Sequence, residues 1–192
     1  MSQSRQKQIL VPFKVPWMVS PSTSFLRLTE SESARNGETK LSFVATFRPR
    51  AQLAPKFRTG AAVLVVPSTG MHPNPSNLDG ETQLIMLTFD SGIWSKMYPT
   101  SDEEEDDEYD SSAVPQLDPR ESDSLAEFDR LWGETGLCPD PCVYEVRSSL
   151  WLRELNLEDK GWNHYLIEGH DAKVEVLARN CEWRSEGTLE GW

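Results

Sequence analysis

One stretch of the chain decides the fold: Ser148–Arg184, SSLWLRELNLEDKGWNHYLIEGHDAKVEVLARNCEWR. It contains three of the seven tryptophans and two of the three histidines, and its apolar patterning is the densest in the protein. Two β-rich runs, Trp162–Glu168 and Lys173–Ala178, lie on either side of Gly169–Ala172. Because glycine and aspartate are typical of tight turns, this pattern predicts a β-hairpin. Ser149–Leu155, before it, fits either a strand continuation or a single helical turn.

Apolar runs elsewhere predict further strands. Leu41–Phe47 alternates with a period of two, which indicates a strand with one buried face. Ala61–Val66 and Thr82–Phe89 are continuous apolar runs, as expected for strands that are buried on both faces. Val143–Val146 is also predicted to be a strand. Ile9–Val19 contains two prolines, so it is predicted to be an edge strand or an extended arm.

One helix is predicted, over residues 124–134. Ser124 and Glu127 have the spacing of a capping box. The apolar residues that follow would share one face of a helix: Leu125, Phe128, Leu131 and Trp132. Gly133 and Gly136 are predicted to end the helix.

These elements predict an α+β fold that is mainly β. Its strands would form an antiparallel sheet or an open barrel, with one covering helix and a long acidic loop. A chain of 192 residues with 38% hydrophobic content suits a single domain over residues 1–192.

Charge is concentrated in one part of this domain. Residues 101–134 hold 14 acidic against 2 basic residues, which equals the whole net charge of −12, while the regions before and after cancel each other. Eight of the nine residues Asp102–Asp110 are acidic. Such a run cannot bury enough apolar area to offset its ordering entropy, so residues 101–123 are predicted to be a flexible insertion.

The charge distribution predicts a non-catalytic interaction or regulatory protein that engages a basic protein partner. The residues predicted to contact that partner form the acidic segment: Asp102, Glu103, Glu104, Glu105, Asp106, Asp107 and Glu108. The opposite possibility, contact with nucleic acid, depends on one basic cluster: Arg48, Arg50, Lys56 and Arg58. A solvated loop explains that cluster equally well.

A second hypothesis is a small-molecule-binding or hydrolytic domain. Its pocket would be lined by aromatic residues of the Ser148–Arg184 stretch: Trp151, Trp162, Tyr165 and Trp183. Core packing is the alternative fate of these side chains. His164 or His170 would act as acid or base, with Asp171 as an orienting carboxylate, and Ser148 and Ser149 are the nearest nucleophiles. The sequence has no Gly-x-Ser-x-Gly motif to support catalysis.

The three cysteines give a weak metal pattern. Cys138 and Cys142 have a spacing that zinc permits, and Cys181 with a histidine could complete four ligands. A second close pair is missing, so the sequence predicts no metal or other cofactor. Three cysteines do not suit a disulfide-stapled secreted domain, and no apolar run is long enough to span a membrane. We therefore expect an intracellular, cytoplasmic protein with no membrane partner.

Overall fold

A computed structural model of the chain describes residues 7–19, 26–30, 39–47, 82–90, 94–99, 108–118, 124–169 and 172–186. These residues form an α+β fold that is mainly β, which confirms the predicted fold class. The strands are β1 (Gln8–Pro12), β2 (Trp17–Met18), β3 (Arg27–Glu30), β4 (Thr39–Phe47), β5 (Thr82–Phe89), β6 (Trp94–Pro99), β7 (Tyr109–Asp110), β8 (Val143–Arg147), β9 (Asn163–Glu168), β10 (Ala172–Ala178) and β11 (Cys181–Ser185). The helices are α1 (Ser124–Thr135) and α2 (Leu150–Glu154).

The strands form two sheets. The first has six strands in the order β6-β10-β9-β8-β1-β7, antiparallel except for the parallel pair of β1 and β7. The second has the order β11-β5-β4-β2, and β3 also pairs with β4. The six-stranded sheet is curled like half a barrel.

Strands β9 and β10 form the hairpin that the sequence of Ser148–Arg184 predicts. The two strands pair from Glu168 opposite Lys173 to Asn163 opposite Ala178. The Gly169 amide donates to the Ala172 carbonyl at 2.8 Å and closes the turn. The stretch before it, Ser149–Leu155, forms α2 and not a continued strand.

The main core lies between the two sheets. Trp17 is fully buried there and makes ring contacts with Phe43 and Trp183, with centroids 6.1 and 4.6 Å apart. From the six-stranded sheet, Tyr165 and Val176 are among the residues that belong to the same cluster. Burying a side chain of this size stabilises the fold by about 1.5–3 kcal/mol, so this cluster holds the sheets together.

Three predictions about local structure need correction. Thr82–Phe89 buries alternate residues and not both faces, because only one face of β5 meets the main core. Gln8–Pro12 is not an edge strand, since β1 pairs with β8 on one side and β7 on the other. Gly133 lies inside α1, which ends at Thr135 before Gly136 adopts a φ of 69°. The strand predicted over Ala61–Val66 lies outside the described residues.

The other face of the six-stranded sheet positions the candidate site. Residues that oppose each other in antiparallel strands share a face, so Glu175 of β10 shares a face with Lys96 of β6. Because side chains alternate along a strand, this face is opposite to the one that carries Val176 into the main core. Among the helices that the structure describes, none is long and apolar enough to cross a membrane.

Candidate functional site

A buried polar network lies on this second face, at the β9–β10 hairpin. His164 of β9 alternates with Tyr165, which belongs to the main core, so the His164 side chain lies on the opposite face. Glu175 of β10 alternates with Val176 in the same way. Ser149 comes from the turn between β8 and α2, where Ser148 has a φ of 55°. A hairpin and a strand-to-helix turn therefore bring together a serine, a histidine and a glutamate.

The three side chains contact one another in series, and we call this group the Ser149–His164–Glu175 relay. Ser149 Oγ lies 2.8 Å from His164 Nδ1, and His164 Nε2 lies 3.3 Å from Glu175 Oε2. The second contact has the distance of an ion pair but not the alignment of a hydrogen bond. Ser149, His164 and Glu175 are 2%, 1% and 8% exposed, so all three side chains are buried.

Ser149 also caps α2. Its Oγ accepts a hydrogen bond from the Leu152 amide at 3.1 Å, and this bond satisfies a donor at the start of the helix. Because Oγ is the acceptor in that bond, the Ser149 hydroxyl proton is available to His164 Nδ1. If Nδ1 accepts from Ser149, a neutral imidazole carries its single N–H at Nε2, the atom that contacts Glu175. The next amide, that of Leu150, donates to Gln8 Oε1 at 2.9 Å.

Glu175 connects the relay to two tyrosines. The hydroxyls of Tyr98 and Tyr109 donate to Glu175 Oε1 at 2.6 and 3.1 Å. Burial by itself raises the pKa of the Glu175 carboxyl. Contacts with His164 and Tyr98, with a contribution from the charge of Lys96, outweigh burial and lower that pKa to about 2. Glu175 is therefore a buried carboxylate that stays ionised near neutral pH.

Lys96 and Trp151 form the outer part of the site. The Trp151 ring packs edge-on against His164 with centroids 5.5 Å apart, and Lys96 Nζ lies 3.7 Å from the Trp151 ring centroid. Lys96 Nζ is also 3.9 Å from Glu175 Oε2, while its side chain is 50% exposed. Beside Lys96, the ring of Trp94 is 5.2 Å from that of Trp162.

The acidic segment lies between the two tyrosines in sequence. Of its residues the structure describes Glu108, whose carbonyl accepts from the Gln8 amide at 3.2 Å and whose Oε1 accepts from Gln8 Nε2 at 3.1 Å. Residues 108–118, part of the insertion predicted to be flexible, pack on the fold through β7 and through Val114, which is buried against Leu10 and its neighbours. The rest of the segment, Asp102–Asp107, lies outside the described residues.

The structure describes only some of the residues that the sequence predicts for an acid–base site. His164 is in the relay and Ser149 is its neighbour, whereas His170 and Asp171 lie outside the described residues. The carboxylate that reaches His164 is Glu175, which sequence reasoning missed. Its only sequence signal was a charged residue inside an apolar strand, at a position that alternates with Val174 and Val176.

The four aromatic residues proposed to line a pocket lie in two separate clusters. Trp151 and Trp162 pack with Leu177 and the leucines around α2. Tyr165 and Trp183 pack in the main core between the sheets. Tyr165 and Trp183 therefore lie in a different cluster from Trp151 and Trp162.

The cysteines belong to the main core. Cys138 and Cys142 are buried in it, Cys181 packs against it, and these three cysteines, all within the described ranges, form no disulfide. Burial raises the pKa of the Cys142 thiol, and Cys142 Sγ donates to the Glu168 carbonyl at 3.0 Å. Within the described part of the chain, no group of three or more His, Cys, Asp or Glu side chains is placed to hold a metal ion. The basic cluster, Arg48, Arg50, Lys56 and Arg58, lies outside that part.

The fold and the relay together define an α+β, mainly β domain with a buried Ser-His-Glu network. No family model matches the chain, and neither a curated protein nor a solved structure matches it. Function is therefore argued from the geometry of the chain itself.

Proposed function

We propose that this protein is an interaction protein that engages a basic protein partner through its acidic segment. One observation supports this proposal above all. Tyr98 and Tyr109, which flank the segment in sequence, both donate to the same oxygen of Glu175. The described residues on both sides of the segment are thus held by a single buried carboxylate.

Fixed ends favour binding by a charged segment. Holding both ends of a loop in place removes part of the conformational entropy that the segment would otherwise lose when a partner orders it. The contact between Gln8 and Glu108 adds a third point of attachment, directly beside the acidic residues. A preorganised run of carboxylates would steer a basic partner toward this edge of the sheet, and salt would weaken the attraction.

We place this interaction in an intracellular, cytoplasmic setting. Buried cysteines without a disulfide suit a reducing compartment. Cys138 and Cys142 lie in the main core, where a thiol packs as a small apolar group.

The test compares charge removal in the segment with the same charge removal elsewhere. The probe is a lysine- and arginine-rich peptide, and its binding to the full chain is measured by interferometry at low and at physiological salt. One variant neutralises the first four acids of the segment: Asp102→Asn, Glu103→Gln, Glu104→Gln and Glu105→Gln. The matched control neutralises four exposed acids on other elements: Glu134→Gln, Glu154→Gln, Asp159→Asn and Glu182→Gln.

We expect the segment variant to lose about tenfold or more in affinity, and the control variant to lose much less. A third variant, Tyr98→Phe with Tyr109→Phe, keeps every charge of the segment but removes both bonds to Glu175. It should bind more weakly than the unmodified chain, because the segment is no longer held. Equal loss in the two four-acid variants would mean that net charge alone drives binding, and the proposal would fail.

A further inference from the structure

The Ser149–His164–Glu175 relay has a geometry that the interaction function does not use. A hydroxyl, an imidazole and a carboxylate follow one another in contact, at 2.8 and 3.3 Å. This is the order of groups that activates a serine: a nucleophile, a base within hydrogen-bond reach, and an acid that orients the base. A helix cap needs only the serine, and a buried ion pair needs only the histidine and the glutamate. Neither role by itself accounts for all three residues.

The hydrogen bonds are compatible with proton transfer from Ser149 to His164. The Leu152 amide donates to Ser149 Oγ, so the serine proton is available to His164 Nδ1. On the other side of the ring, Glu175 is ionised and lies where it would stabilise the positive charge that His164 acquires. Tyr98 and Tyr109 hold the other oxygen of Glu175 and thereby fix the carboxylate beside the ring.

The contacts of the relay continue outward to Trp151 and Lys96. Trp151 packs on His164, and Lys96 lies over Trp151 with half of its side chain exposed. An exposed cation–π contact is weak, so a bound molecule could displace the lysine. Trp94, which is 44% exposed, pairs with Trp162 nearby and offers an aromatic surface to such a molecule.

We propose that Ser149 is the nucleophile and His164 the base of an acyl-transfer site that hydrolyses small aryl esters, with Glu175 as a positioning residue. Ser149 Oγ forms a bond to the ester carbonyl carbon, and its proton passes to His164 Nδ1. The carbon–oxygen bond to the aryl alcohol breaks, and that alcohol takes the proton from Nδ1. Water then attacks the acyl-serine and gives a proton to His164. The carboxylic acid leaves, and Ser149 regains its proton.

A fluorophosphonate probe tests this proposal on the full chain. The probe phosphorylates an activated serine, and intact mass followed by peptide mapping locates the adduct. We expect one adduct, at Ser149. Ser149→Asn should abolish it while keeping the helix cap, because asparagine is also a good capping residue. Ser148→Ala is the matched control, and it should be labelled like the unmodified chain.

Two further variants separate a reactive site from a structural one. Lys96→Ala uncovers the relay and should speed labelling several-fold. Glu175→Gln should slow labelling at least about tenfold and change its pH profile, as expected when a base loses its orienting acid. Hydrolysis of p-nitrophenyl acetate should follow the same order among the variants. Absence of an adduct at Ser149 in both the unmodified chain and Lys96→Ala, or an adduct that survives Ser149→Asn, would overturn the proposal. Peptide binding by the acidic segment is unaffected by either result, so the two functions are tested independently.

Discussion

Tyr98 and Tyr109 lie on strands at opposite edges of the six-stranded sheet, yet their hydroxyls donate to the same oxygen of Glu175. The two edges can meet only because the sheet is curled. A single carboxylate on β10 thus closes the sheet on itself and fixes the residues on either side of the acidic segment. The stability of this junction is open to direct measurement.

The two tyrosine bonds should be energetically coupled. A hydrogen bond to a charged group is worth about 1.5–3 kcal/mol, so Tyr98→Phe and Tyr109→Phe should each lower the free energy of unfolding by an amount in that range. Because both hydroxyls serve one oxygen, the double variant should deviate from additivity by at least about 0.5 kcal/mol. Urea unfolding of the four proteins measures the coupling. Tyr165→Phe, in the main core on the opposite face of the sheet, should combine additively with Tyr98→Phe.

Removing the charge of Glu175 should destabilise the fold. Glu175→Gln keeps the shape of the side chain but leaves buried His164 and half-buried Tyr98 without their carboxylate. The expected loss at neutral pH is about 1–3 kcal/mol in the free energy of unfolding. Glu158→Gln is a suitable control, since the pair of Glu158 with Arg153 is exposed and should contribute less than about 1 kcal/mol. Equal effects of the two substitutions would contradict the assigned role of Glu175.

The pH dependence of stability should carry the signature of Glu175. Its pKa is lowered from 4.5 to about 2 on folding, so its contribution is fully present above pH 4.5 and is lost as the pH falls toward 2. A shift of this size corresponds to a contribution on the order of 3 kcal/mol. Unfolding measured between pH 5 and pH 2, a window of about three units, should show a steeper loss in the unmodified chain than in Glu175→Gln. Parallel curves for the two proteins would rule this out.

Asp140 should have the opposite effect. Burial, together with the nearby charge of Glu168, raises the pKa of Asp140 from 3.8 to about 6. The ionised form therefore costs stability above pH 6, and this cost disappears as the pH falls to 3.8. Asp140→Asn should stabilise the chain by roughly 2 kcal/mol at pH 8 and have little effect near pH 4. The main-chain bond from Val19 to the Asp140 carbonyl is unchanged by the substitution, so the effect isolates the charge. A variant that is less stable at pH 8 would contradict it.

Local patterns in the sequence determined the elements of the fold. The period of two in Leu41–Phe47, the apolar runs of the β9–β10 hairpin and the capping residues of α1 each act over a few neighbouring positions, where backbone geometry and side-chain burial are closely linked. The prediction of an α+β, mainly β domain follows from them and is confirmed. The concentration of acidic charge is likewise a property of the sequence alone, and the binding role that it predicts stays a prediction.

Only the tertiary structure decided which side chains meet. Ser149, His164 and Glu175 are separated along the chain, and the register of β9 with β10 and the turn into α2 bring them within 2.8 and 3.3 Å. Turn geometry fixes the register of a hairpin, but the sheet curvature and the position of α2 arise from packing across the whole core, so no local pattern encodes them. For the same reason, the sequence could not show that Tyr165 points into the core while His164, its neighbour, points into the site.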